Sequence, residues 1–363
     1  MEFHQDKSKV LETQTSEKSV LLGQITLKET ESYKYLGDII TADGTLKETI
    51  EDRSKSCTAT VAELNSILEE TVSENILIDA VITYQNSIII PKLCLNSETW
   101  TLNNTELQTM EKIHNKSLKR MLRLPQGTPS FGLRAELGIL SVESIIHRRK
   151  LMFLHRLLSQ PDDNITRQVM MQQFHLPGET WLNNTLALCR KLGLTEDLET
   201  IKNTSKSAWK MMINTATLNE ESNQLVKWAQ QSKKYTSRSL NMNKKQYIQY
   251  LPPVLATTIL KVRTGMIEVK ANYKNMYIDQ SCRKCNAAEE SLIHVLKCNT
   301  TSTVEENLLL EDAKDMLDNI EEQEPSRIKK LSTFIHLQIS KLVEIPLEST
   351  PATRAASLEE DTY

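Results

Sequence analysis

The sequence predicts a mainly helical chain with one small β element at its N-terminus. Three observations lead there. Glycine and proline are scarce, at 9 and 10 in 363 residues, so few tight turns are available. Apolar residues recur at helical spacing from about residue 46 onward. Strand-like patterning is confined to residues 1–45. Hydrophobic residues make up 39% of the chain, and no run approaches the ~18 uncharged apolar residues that a membrane helix needs. The opening MEFHQDKSKV has no apolar signal core, so neither a membrane partner nor secretion is expected. An intracellular setting, nucleus or cytoplasm, follows as the expectation.

Each element then has its own warrant. Val20–Leu27 alternates loosely, and Tyr33–Thr41 reads as a strand that ends in the turn Ala42-Asp43-Gly44. Beyond Thr45 the period is helical, with Val61, Leu64, Ile67 and Leu68 on one face. A second helix is expected over Ile76–Ile90, halted by Pro91. The clearest amphipathic helix is Leu107–Leu124. Leu107, Met110, Ile113, Leu118, Met121 and Leu122 share one side, and Lys112, Lys116, Lys119 and Arg123 form a stripe on the other. After the loop Leu124–Gly132, Ser141 reads as the N-cap of a helix carrying His147, Arg148, Arg149, Lys150 and Arg156, which ends at Pro161–Asn164. Residues 177–250 are polar and helical, with Trp181, Trp209 and Trp228 as packing anchors. The pair Pro252-Pro253 opens a short module to about Asn299. Residues 301–344 read as acidic helix, and the final Ser/Thr/Pro/Glu-rich stretch as disordered.

The net charge of −3 hides an uneven distribution. Lys112–Arg156 holds ten Lys/Arg against two acids, whereas Glu305–Glu324 holds nine acids against Lys314. The basic stretch, with the Lys112–Arg123 stripe and Arg148–Lys150, suits sequence-independent contact with phosphates. The plainer alternative is a solvated helix face.

Cys57, Cys94 and Cys189 are isolated, and without a secretory signal no disulfide framework is expected. Cys282, Cys285, His294 and Cys298 have the spacing C-x2-C-x8-H-x3-C. The Cys pair places two thiolates on one turn, and His294 and Cys298, four apart, share a face if ESLIHVLKC is helical. Three sulfurs and one imidazole make a closed structural Zn2+ site with no position left for water. A zinc hydrolase would need one ligand to be lost. Asp162-Asp163 follows Pro161 at a helix end and reads as a loop, not as a metal-holding pair. His147 and His155 read as ordinary side chains. No phosphate-cradling glycine loop, H-E-x-x-H or G-x-S-x-G occurs.

Several segments resemble, in order, the C-terminal part of reverse transcriptases of non-LTR (LINE-type) retrotransposons. ESYKYLGDIITADGTLKETIEDR is similar to the segment after the family's catalytic palm strands, and Tyr33-Lys34-Tyr35-Leu36-Gly37 matches its primer grip. Asp6-Lys7-Ser8-Lys9-Val10 resembles the Lys-[Ser/Thr]-Lys stretch upstream of that grip. Glu98-Thr99-Trp100 and the basic helix after it resemble the post-thumb region. Arg263-Thr264-Gly265 with the later Cys-Cys-His-Cys set resembles the family's zinc module. The resemblance covers roughly residues 1–160 and 251–300. It implies the end of a palm with the primer-grip strand over 1–45 and a thumb-like helical bundle over 46–160. A helical connector over 161–250, a zinc module over 251–300 and an acidic helix with a tail over 301–363 follow.

The family's activity is RNA-directed DNA synthesis, carried by palm aspartates that hold two metals. Those aspartates have no counterpart in the 363 residues. The expectation is therefore a chain that does no chemistry alone. It would hold template–primer or element RNA, or DNA, through Tyr35, Leu36, Gly37, Lys112, Lys116, Lys119, Arg123, Arg148, Arg149, Lys150, Arg283 and Lys284. The polymerase and endonuclease portions of such an element are the implied partners. The competing expectation is a repurposed, zinc-containing helical module that contacts proteins.

Overall fold

A computed structural model describes residues 9–12, 21–22, 25–71, 77–176, 178–232, 240–298 and 304–345. Among the described residues, six short strands come first: β1 (Lys9–Val10), β2 (Leu21–Leu22), β3 (Ile25–Thr26), β4 (Lys28–Glu29), β5 (Ser32–Tyr35) and β6 (Asp38–Thr41). Helices follow as α1 (Lys47–Thr71), α2 (Ile78–Tyr84), α3 (Ile90–Leu93), α4 (Asn104–Met121), α5 (Ser130–Leu137) and α6 (Val142–Leu158). Then come α7 (Ile165–Gln172), α8 (Trp181–Lys191), α9 (Leu198–Asn203), α10 (Lys206–Gln231) and α11 (Tyr247–Tyr250). The last are α12 (Pro253–Arg263), α13 (Leu292–Lys297), α14 (Val304–Asp318) and α15 (Pro325–Val343). The chain is thus mainly helical with a small N-terminal β portion, as its composition predicts.

Two compact units arise, each from three separate segments. One combines Met1–Asn65, Tyr84–Ser117 and Ser141–Glu220; the other combines Ser66–Thr83, Leu118–Leu140 and Glu221–Tyr363. The boundaries expected at 45, 160 and 250 do not coincide with these divisions.

In the first unit, Tyr33–Thr41 is not one strand but a hairpin. Strands β5 and β6 pair antiparallel from Ser32↔Thr41 to Tyr35↔Asp38. Leu36 and Gly37, at φ 47° and 95°, supply the two positive φ values of a tight two-residue hairpin turn. The hairpin docks on α1, where Arg53 Nη2 donates to Gly37 O (2.6 Å) and Asp38 Oδ1 (3.1 Å). The buried stripe of α1 is Ile50, Arg53, Cys57 and Val61, whereas Ile67, expected on the apolar face, is exposed. Pro91 does not halt the second helix. A π turn over Gln85–Ile89 widens the ladder ahead of it, which relieves the clash between a proline ring and the carbonyl four residues back, and Pro91 enters the next turn. Helices α6 to α10 share a core of Leu151, Leu154, Met170, Leu182, Cys189, Ile201 and Trp209. Trp209 is fully buried and donates to Leu151 O at 3.0 Å. Residues 161–220 of the expected connector therefore pack on α6 within this unit, and residues 221–250 belong to the other.

In the second unit, α5 ends at Gly138 (φ 67°), and Ile139 N closes back on Arg134 O at 3.0 Å. Glycine is required here twice over, because a Cβ would lie 2.5 Å from Lys244 N. Glu136 is fully buried and accepts from Arg263 Nε and Nη2 (2.8 Å each) and from Tyr247 Oη (3.0 Å). Arg263 also donates to Leu317 O. This network ties α5, α11, α12 and α14 together. Helix α15 buries Ile328, Leu331, Ile335, Ile339 and Leu342 at helical spacing and packs on α12 and α13. The acidic C-terminal segment is therefore a structural layer over residues 304–345. The expected disordered tail lies outside the described residues.

Candidate metal centre and basic residues

The knuckle at Cys282–Cys285 is built by its backbone. Cys282 N donates to Ala288 O (2.7 Å), and Asn286 N returns to Cys282 O (2.8 Å) with Asn286 left-handed at φ 55°. This turns two N–H groups onto sulfur: Lys284 N onto Cys282 Sγ (3.4 Å) and Ala287 N onto Cys285 Sγ (3.5 Å). Ser291 caps the short helix α13 by accepting from His294 N (3.3 Å). That helix delivers His294 and, at its C-cap, Cys298. The four donor atoms all lie within 4.8 Å of one another, a group that can hold a metal ion. Cys282 Sγ and Cys298 Sγ are 3.9 Å apart, and Cys285 Sγ is 3.3 Å from His294 Nε2.

Two thiols of the cluster are shifted in opposite directions. The Ala287 N–H holds the Cys285 thiol down at about 6. Burial, reinforced by hydrogen bonds to Cys285 and Cys282, pushes Cys298 up to about 12. Adjacent sulfurs resist becoming thiolates together, and a bound divalent ion removes that resistance.

Around the donors lies a supporting shell that the spacing did not reveal. Arg283 grips the fully buried Glu290 through Nε (2.9 Å) and Nη2 (2.8 Å), and Glu290 also accepts Arg283 N (2.9 Å) and Lys270 N (3.0 Å). Burial works against the Glu290 carboxylate, but these donors outweigh it and hold its pKa below the ordinary value. Lys284 Nζ donates to Gln338 Oε1 at 2.8 Å, which ties the knuckle to α15. The two cations expected to face phosphate here thus bond within the chain.

The other expected phosphate contacts divide. Lys112, Lys116 and Arg123 are exposed. Lys119 is not on their stripe: it is buried, its Nζ donates to Gln126 O (2.7 Å), and burial lowers its pKa. The cause is the helix end. Arg123 is left-handed (φ 50°) and Leu124 N bonds Lys119 O (2.8 Å), so the following loop folds back over Lys119. Arg120, not foreseen, takes its place on the exposed side, four residues after Lys116. In α6, Arg148 donates to Thr217 Oγ1 (2.7 Å) and Asn214 O (3.2 Å), and Arg149 donates to Cys94 O. Lys150 is buried with its pKa lowered by desolvation. Tyr35 and Leu36 are exposed at the hairpin tip, and Gly37 O is held by Arg53. Asp162 and Asp163 sit on an exposed loop, where Asn164 caps α7 by accepting from Thr166 N (3.0 Å) and Arg167 N (3.2 Å).

No helix among the described residues is long and apolar enough to cross a membrane. Comparison with family models, curated proteins and solved structures gives no match to this chain, so its fold and its sites are read from its own residues.

Proposed function

We propose that the chain is a nucleic-acid-holding protein of the non-LTR reverse-transcriptase type, which grips template–primer or element RNA through its backbone and performs no chemistry of its own. The observation that carries this reading is the exposed row Lys112, Lys116, Arg120 and Arg123, none of whose side chains has a carboxylate partner among the described residues. Cations left unpaired at helical spacing suit phosphates. The exposed Tyr35-Leu36 hairpin tip fits the primer-grip resemblance.

The metal in this reading is Zn2+, held by Cys282, Cys285, His294 and Cys298. Zinc bonds of ~2.3 Å to sulfur and ~2.0 Å to nitrogen at tetrahedral angles imply S···S edges of roughly 3.8 Å and S···N edges of roughly 3.5 Å. The edges of 3.9 and 3.3 Å lie close to both. With four protein donors the ion has no open position, so its role is structural.

Anisotropy of labelled RNA and duplex DNA across a salt series tests the binding. Each phosphate contact contributes ~0.7–0.9 to the slope of log K against log salt. The triple variant Lys112→Glu/Lys116→Glu/Arg123→Glu should weaken binding and flatten that slope by roughly 2–3. Unchanged binding would reduce the row to a solvated face. The protein-contact alternative is favoured by the exposed Ile165, Val169, Phe174 and Leu176, and gains if the parent chain ignores nucleic acid.

A further inference from the structure

The first unit holds a cavity of about 620 Å³ walled by α6, the start of α10 and the Ser97–Thr99 turn. Its volume falls in the range of ligand sites. Arg149, Arg156 and Lys206 bring three cations to the wall against one carboxylate, Glu98. Arg149 gives one N–H to Cys94 O and keeps the others, and none of the three cations has a carboxylate partner among the described residues. The Arg156 guanidinium lies over the Phe153 ring, 4.7 Å from its centroid. Phe153 is itself held, because Trp181 meets it edge-on at 5.5 Å and 79°, and Trp181 Nε1 is anchored on Glu98 O at 2.9 Å. The guanidinium is thus supported from behind and presents a flat face with N–H groups at its rim.

We propose that this cavity seats one or two nucleotides of a single strand, with phosphate on Arg149 and Lys206 and a base stacked on the Arg156 plane. The proposal rests on the nucleic-acid reading above and names the form of the ligand. A duplex keeps its bases stacked on one another and offers no free face, whereas an unpaired base does. The ligand is recognised by charge and stacking, so little sequence preference is expected.

The test uses the full chain, a 12-nucleotide uridine RNA and a 20-base-pair duplex, each followed by anisotropy. The double variant Arg156→Ala/Lys206→Ala alters exposed residues and leaves the core intact. It should bind the single strand about 10- to 100-fold more weakly and the duplex nearly as well as the parent. Arg156→Lys keeps the charge but loses the flat face, and should recover only part of the loss. Equal single-strand affinity for parent and double variant overturns the cavity while leaving the wider reading in place. Equal losses for strand and duplex overturn it too, because the cations then act as general surface charge. A parent chain that binds neither nucleic acid overturns both.

Discussion

Replacing Glu136 is the most demanding test of the second unit. The carboxylate is fully buried, accepts two hydrogen bonds from Arg263 and one from Tyr247, and sits beside the buried Lys245. Glu136→Ala leaves the Arg263 guanidinium at 0% exposure without its counter-charge. Removing one partner of a buried pair costs about 3–5 kcal/mol, a large share of the ~5–15 kcal/mol that holds a domain folded. With a urea dependence of about 3 kcal/mol per M, the unfolding midpoint should fall by roughly 1–1.7 M. Lys245 adds to the loss, since burial already lowers its pKa and Glu136 is one of the groups opposing that shift. Glu136→Gln keeps the shape without the charge and should lie between parent and Ala. The double variant Glu136→Leu/Arg263→Met removes both charges and should be less destabilised than Glu136→Ala. The measurement is urea unfolding followed by circular dichroism. A loss below 1 kcal/mol for Glu136→Ala, or strict additivity in the double variant, would refute the argument.

Three further outcomes follow from the same geometry. Chelation, or Cys298→Ser, should empty the proposed zinc centre and loosen α13 with the α14 and α15 helices it packs on, because finger-type zinc contributes ~10–16 kcal/mol of apparent folding energy; limited proteolysis and metal analysis read this, and metal retained after Cys298→Ser would refute it. His147 is held down to about 4 by burial, against an ordinary 6.5, despite Glu143 at 3.7 Å. Below pH 6.5 the unfolded chain takes up a proton that the folded chain refuses, so stability should fall as pH drops from 6.5 towards 4, and His147→Gln should flatten that part of a Tm-against-pH curve. Arg123→Gly should raise stability by roughly 0.5–1 kcal/mol, because glycine relaxes the left-handed C-terminal position of α4, while weakening RNA binding by one contact; a lower Tm would contradict the reading of that helix end.

What could be read in advance was local. The ligand spacing of Cys282, Cys285, His294 and Cys298 is a short-range pattern, and one turn and one short helix suffice to bring the donors together. The N-cap at Ser141 is equally local, its Oγ accepting from Ser144 N at 3.1 Å. Periodicity failed where the backbone left its regular form. The Leu36-Gly37 turn has only one glycine to mark it, and the π turn lets Pro91 continue a helix. Charge counting failed for a different reason. Lys119, Arg148, Lys150 and Arg283 look alike in sequence, but Lys119 and Arg283 are claimed by Gln126 and Glu290, each seven residues on across an irregular turn, Arg148 by Thr217, 69 residues away, and Lys150 is buried. The Arg263–Glu136 pair spans 127 residues, and no local pattern announces it.

That separation also has a consequence in time. Glu136 waits for Tyr247 and Arg263, which lie 111 and 127 residues further along the chain. At a synthesis rate of ~5–20 residues per second, the Arg263 partner arrives roughly 6–25 s after Glu136 has been made. Throughout that interval α5 has left the peptidyl-transfer centre with its charge uncompensated, and Leu133 and Leu137, fully buried at the end, are still without the cover supplied by the later segments. The Glu136 network of the second unit can therefore close only after Arg263 has been made, so its assembly follows synthesis instead of accompanying it.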